Sequence, residues 1–168
     1  MLTTDQKGAV AELEIARQAA DLGIGVWSAY TIERYDLIFD LRPELVRVQC
    51  KWTPQCGDVI RVPCHSNRRS REGLVRRSYS SDEIDAFAAF CPETDRCYFL
   101  PLEIFENHIA IQLRLRPTRN NQAARINWAK DYEFAATLGR LGAIAQLGER
   151  RAGSAKVAGS SPAGSTLF

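Results

Sequence analysis

Apolar residues first recur at helical spacing, at Val10, Leu13, Ala16 and Ala20. This stripe predicts a helix over residues 5–22, capped by Thr4 and stopped by Gly23. Beyond Gly23 the period shortens to two, which predicts strands at 25–30, 35–41 and 45–52, the last two joined as a hairpin through Arg42, Pro43 and Glu44. A fourth strand at 58–64 leads into a polar, basic loop over 65–79. Ser81 or Asp82 starts a short helix running through Phe90, strands return at 96–100 and 109–116, and a helix over 123–138 closes the pattern. This order of elements predicts a mixed α/β or α+β domain, a central mixed sheet flanked by helices.

The pattern stops near Arg140. Over residues 141–168, Gly, Ala and Ser make up 15 of 28 positions and the only aromatic is Phe168. Such a stretch buries too little apolar surface to offset its ordering entropy, so the chain is expected to divide into a domain over 1–140 and a disordered tail over 141–168. The apolar run at 84–90, interrupted by Asp85, is far shorter than the ~20 residues of a membrane helix, which argues against a spanning segment. The N-terminus has no apolar stretch behind a basic one, and a cytoplasmic location is the expectation. The five cysteines are odd in number and form no C-x-x-C pair, so they read as reduced thiols, and His65 and His108 read as surface or packing residues.

The hairpin carries the first chemistry. Residues two apart on a strand share a face, so Gln49 and Lys51 point one way and Val48 and Cys50 the other. The apolar set Leu37, Phe39, Val46, Val48 and Cys50 must meet on the core side, which sets the parity of the register. A two-residue or four-residue loop satisfies it. Either places Asp36 on one face with Gln49 and Lys51, opposite that core. A carboxylate, an amide and an ammonium brought together suit phosphodiester hydrolysis with Mg²⁺ or Mn²⁺, since such ions take oxygen ligands. Asp36 would bind the metal, with the Gln49 side-chain oxygen and the Cys50 backbone carbonyl as further ligands, while Lys51 activates water and offsets developing charge. On the first helix Gly8 and Glu12 share a face, so Glu12 becomes a second acid for the same site. An Asp–Lys cross-strand ion pair on a solvated sheet, with Glu12 as a helix-surface residue, explains the same residues without chemistry.

Charge sharpens the picture. The whole chain carries +2, yet the segment 65–79, HSNRRSREGLVRRSY, holds Arg68, Arg69, Arg71, Arg76 and Arg77 against Glu72 alone, a local +4. The tail adds +2 through Arg150, Arg151 and Lys156 against Glu149, so the domain itself is neutral and the positive field is concentrated in one loop. That distribution fits an element that tracks phosphates, with Ser66, Asn67 and Ser70 as added donors and Arg114, Arg116 and Arg119 as further DNA contacts.

In order along the chain, G-x-x-x-E at Gly8 to Glu12, R-Y-D at Arg34 to Asp36 and V-Q-C-K at Val48 to Lys51 resemble the PD-(D/E)xK nuclease superfamily. Within it the chain is similar to the homing endonucleases encoded by bacterial group I introns, often in tRNA genes, which carry Gln where other members carry Asp or Glu, here Gln49. The blocks YSSDEIDAFAAFCPETDRCYFLPLE and LRLRPTRNNQAARINWAKDYE extend the likeness to roughly residues 5–135. The resemblance implies a restriction-endonuclease-like core and a Mg²⁺-dependent endonuclease acting on double-stranded DNA. It implies Asp36, Gln49 and Lys51 as the catalytic trio with Glu12 as accessory acid, in a homodimer or tetramer. A bacterial, nucleoid-associated enzyme is the matching location.

The tail supports a mobile element independently. IAQLGER reverse-translates as ATA GCT CAG TTG GGA GAG CG, similar to the D-arm of a bacterial tRNA gene, and GSSP as GGT TCG AGT CCC, similar to a T-arm. Eight codons separate Arg150 from Gly159, close to the spacing of those arms in an uninterrupted gene. Residues 141–168 are therefore expected to be read through a tRNA gene, a reading that fails if no cloverleaf folds from the DNA encoding them. Two other functions remain open: a restriction or junction-resolving nuclease on the same core, and a non-catalytic DNA-binding protein using the basic loop alone.

Overall fold

The computed structural model describes residues 1–71, 73–117 and 124–139. The expected tail and its boundary near Arg140 lie outside these residues, as does Arg119. The first helix, α1, runs over Thr4–Asp21. Its cap is Thr3 rather than Thr4: the Thr3 side chain accepts from Gln6 N–H at 3.2 Å while the Gln6 side chain accepts from Thr3 N–H at 2.9 Å, a reciprocal capping box. The buried stripe is Ala11, Ile15 and Ala19, and Leu13 is exposed, so the inward face is rotated from the one the spacing suggests. Ala11 and Ala19, small residues one turn either side of the buried Ile15, let the helix approach the sheet closely. Gly23, at φ +79°, terminates the helix in the left-handed region that a side chain disfavours.

The strands are β1 (Gly25–Ser28), β2 (Leu37–Asp40), β3 (Leu45–Trp52), β4 (Gln55–Cys56), β5 (Val59–Pro63), β6 (His65–Ser70), β7 (Gly73–Ser78), β8 (Ala86–Cys91), β9 (Arg96–Pro101), β10 (Ala110–Arg114) and β11 (Asn127–Trp128). Short helices α2 (Leu102–Phe105), α3 (Ala129–Tyr132) and α4 (Phe134–Thr137) complete the described chain. The result is a mixed α+β fold.

The central sheet has the order β1-β2-β3-β8-β9, with β3 and β8 parallel and the other pairs antiparallel. A smaller sheet has the order β11-β10-β5-β4, and β6 and β7 form a separate two-stranded ribbon. The parallel pair needs a long crossover. Here β4 to β7 supply it, which carries the arginine-rich segment past the end of β3.

Three expectations give way. The segment expected as a helix through Phe90 is β8, buried at all six positions. A central strand covered on both faces reads as a continuous apolar run, and AFAAFC has no period that separates it from a buried helix. The arginine loop is the β6–β7 ribbon, and the single closing helix is β11, α3 and α4. Extended backbone at Glu133 (φ −58°, ψ 143°) separates α3 from α4, and Glu133 bridges to Tyr98 of β9.

One face of the central sheet packs Leu37, Phe39, Val48, Cys50, Ala88 and Phe99 against α1 and α4, with Phe39 6.3 Å from Phe99 and 6.0 Å from Phe134 between ring centroids. The other face packs Phe87, Ala89, Tyr98 and Leu100 against Ile60, Val62, Ile111 and Leu113 of the small sheet. At the head of β8, Asp85 accepts from Arg47 Nε at 3.0 Å, Arg47 Nη2 at 2.7 Å and Arg47 N–H at 2.7 Å. These bonds from Arg47 hold the Asp85 carboxyl below its usual range. The lowered folded-state value means the stabilisation is present above the unfolded pKa of about 3.9 and is lost as pH falls through the folded value. Asp85→Asn is expected to lower stability at pH 7 by at most about 1 kcal/mol, given the partial exposure of both partners. Urea titrations at pH 7 and pH 3 check this, because the gap between parent and variant should close in acid.

Candidate active site

The register settles the hairpin. Leu37 pairs with Val48, Phe39 with Val46 and Asp40 with Leu45, leaving a four-residue loop from Leu41 to Glu44. Parity therefore follows the apolar pattern, with Leu37, Phe39, Val48 and Cys50 on the α1 side. The opposite face is not a bare solvent face: Lys51 on it lies beside Tyr79 of the second core.

Asp36 stands just before β2, and its N–H donates to Val48 C=O at 2.9 Å. Val48 thus turns its backbone groups toward the Asp36 side, and so does Cys50 two residues on. The β2 ladder has run out there, and the Asp36 carboxylate takes the next ladder position: its Oδ2 accepts from Cys50 N–H at 2.7 Å and from the Gln49 amide. The Cys50 carbonyl opens toward the same space, with a 3.3 Å contact from Gln49 Nε2. Asp36 Oδ1 has no hydrogen-bond partner among the described residues.

Burial raises the Asp36 carboxyl above its ordinary value, against the lowering by the Cys50 N–H, the Lys51 charge and the Gln49 amide. Glu12 is raised as well, by burial and then by the negative charge of Asp36. Two carboxylates near enough to repel and the Cys50 backbone carbonyl present oxygen donors, whereas the Gln49 amide faces Asp36 Oδ2 and that carbonyl through Nε2 and joins the set by its oxygen once the amide turns over. A hard divalent cation fits such a set, and its charge would relieve the repulsion.

Lys51 Nζ donates to the Tyr79 hydroxyl at 3.3 Å and lies 4.8 Å from the centre of that ring. Burial and the nearby Arg34 charge bring its ammonium down to about 8, with burial the larger cause and Asp36 opposing. Gly8, one turn before Glu12, has nothing within 4 Å of its Cβ position.

The arginines are less concentrated than the sequence suggests. On the ribbon, Arg68 pairs with Val75, Arg69 with Leu74 and Asn67 with Arg76. Arg76 and Arg77 are successive and face opposite ways, and Arg77 turns back to an ion pair with Glu83. Arg71 and Arg76 are exposed. Arg114 and Arg116 sit at the end of β10, where Arg114 Nε donates to Arg116 C=O at 2.9 Å, and no described interaction joins them to Asp36, Gln49 or Lys51.

Sequence reasoning assigns no role to Arg34 or Tyr79. Their signals are weak: Arg34 lies two positions before Asp36, and Tyr79 is the one aromatic in the segment 65–79.

The chain has no match among curated proteins. Among solved structures it is similar to the bacterial homing endonuclease I-Ssp6803I, with a TM-score of 0.64 and 24% identity over 90% of this chain and 99% of that one, a likeness of fold. The family model described as PD-(D/E)XK endonuclease matches residues 2–135, a span that includes Glu12, Asp36, Gln49 and Lys51. The chain belongs to the PD-(D/E)XK endonuclease family.

Proposed function

We propose that this protein is a homing-type, site-specific endonuclease that hydrolyses phosphodiester bonds of double-stranded DNA with Mg²⁺ or Mn²⁺. The observation that carries the reading is the Asp36 carboxylate, pinned through one oxygen by Cys50 N–H and the Gln49 amide and open through the other. Asp36, the Gln49 side-chain oxygen and the Cys50 carbonyl would hold the cation, with Glu12 as an accessory ligand. When bound, a divalent cation supplies Lewis-acid polarisation of the scissile phosphate and a lowered pKa for water. Cys50 N–H orients the carboxylate. Lys51, with N–H groups left over from its bond to Tyr79, orients the attacking water and stabilises charge developing on phosphate. A plasmid carrying an uninterrupted tRNA gene is expected to be cut in Mg²⁺ or Mn²⁺ and left intact in EDTA; cutting that persists in EDTA defeats the mechanism.

The β6–β7 ribbon supplies the grip. A two-stranded ribbon has the dimensions to enter a DNA major groove, and its exposed Arg71 and Arg76 fit phosphate contacts. Replacing both by alanine should weaken duplex binding and lower the slope of log K against log salt by about 0.9 for each phosphate no longer neutralised. Fluorescence anisotropy across a salt series measures it. The tRNA-gene target and a homodimer or tetramer that presents paired sites to two strands belong to the same proposal, as does the location in the bacterial nucleoid.

A further inference from the structure

Lys51 presents a positional problem. Its four-carbon stem has many rotamers, so an ammonium that must meet one phosphate has to be held. No carboxylate ion-pairs with it among the described residues, and its hydrogen-bond partner is the Tyr79 hydroxyl at 3.3 Å. Tyr79 is itself immobilised: it is 8% exposed, its ring meets Phe87 edge-on at 5.5 Å, and the Arg34 guanidinium lies 4.1 Å from its centre. Arg34 in turn donates to Ser66 Oγ of β6 at 3.0 Å and to Ser78 C=O of β7 at 3.2 Å, and pairs with Glu83 at 3.3 Å. Tyr79 directly follows β7, and Arg34 lies two residues before Asp36. Both strands at the base of the ribbon, the lysine and the approach to the carboxylate therefore meet at one tyrosine.

We propose that Tyr79, clasped by Arg34, is a positioning residue for DNA cleavage: its hydroxyl and ring hold the Lys51 ammonium toward the Asp36 site and tie it to the base of the arginine ribbon. The proposal rests on the nuclease reading above. A cation–π contact with the ring adds to the hydroxyl bond without consuming an N–H donor. Two of the three ammonium donors stay free for water and phosphate, which a carboxylate partner would tend to occupy. Duplex bound along the ribbon is thereby kept in register with the lysine.

The test separates rate from binding. Tyr79→Phe keeps the ring, its packing on Phe87 and its stacking with Arg34, and removes only the hydroxyl. Single-turnover cleavage of the tRNA-gene plasmid in Mn²⁺ should slow about tenfold with duplex affinity within twofold of the parent. A second readout needs no cleavage. Reductive ¹³C-methylation labels the α-amino group and the four lysines, Lys7, Lys51, Lys130 and Lys156, and the Lys51 signal is identified by its absence in Lys51→Arg. In the parent and in Tyr79→Phe that signal should show NOEs to the ring protons of residue 79, and in Tyr79→Leu those ring NOEs should vanish. A Tyr79→Phe rate within twofold of the parent, or a Lys51 signal without ring NOEs in the parent, overturns the proposal. A parent that cuts no DNA defeats the nuclease reading itself, whatever the methyl spectrum shows.

Discussion

Asp36→Asn is expected to bind duplex DNA with near-parent affinity and to cut it at least about 10³-fold more slowly, a loss of about 4 kcal/mol of transition-state stabilisation. The variant keeps the shape of the side chain and an oxygen that can accept from Cys50 N–H. It loses the negative charge that a divalent cation needs at the open Oδ1. Stability should move the other way. Burial already raises the Asp36 carboxyl, so the folded protein bears a cost for holding that charge. A neutral amide removes the cost, and the urea midpoint at pH 7 should equal or exceed that of the parent. Abolished activity with retained or higher stability is what a residue kept for chemistry produces. A large fall in stability would instead make Asp36 a structural strand-end cap.

Lys51→Ala should reduce single-turnover cleavage by about 10²–10⁴-fold, in the range expected for removing electrostatic and acid–base assistance at a buried site. Binding should change little, because one phosphate interaction among several shifts the salt slope by less than about one. Lys51→Arg should not restore activity: its planar guanidinium would stack on the Tyr79 ring, where the lysine places a compact point charge. Quenched-flow cleavage beside anisotropy on the same duplex separates the two effects. Undiminished cutting by both Asp36→Asn and Lys51→Ala would remove the proposed mechanism.

The hairpin is legible in the sequence because its pattern is local. Leu37, Phe39, Val46, Val48 and Cys50 must face one way, and period-two geometry then puts Gln49 and Lys51 on the other, whichever even-numbered loop joins the strands, while Asp36, just outside β2, turns its carboxylate into the ladder toward Cys50 N–H. Helix α1 is legible from its spacing, its cap and Gly23, although its inward face is rotated from the apolar stripe because small alanines carry little hydrophobic signal. Residues 86–91 mislead for the opposite reason. A strand buried on both faces shows no alternation, and only its parallel pairing with β3 reveals what it is. The arginine ribbon is visible as charge and invisible as structure, since its apolar members Leu74 and Val75 are too few to mark two strands.

The sequence by itself determined the common face of Gln49 and Lys51, the place of Glu12 on the first helix and the concentration of positive charge in one segment, because periods of 2 and 3.6 tie face to residue number. Tertiary structure alone decided that Asp36 caps a broken ladder at Cys50, that a crossover of strands brings the ribbon to the end of β3, and that Lys51 rests on Tyr79 under Arg34. These interactions join residues from 14 to 44 positions apart. They depend on which elements pack together to bury two cores, and no local spacing encodes that.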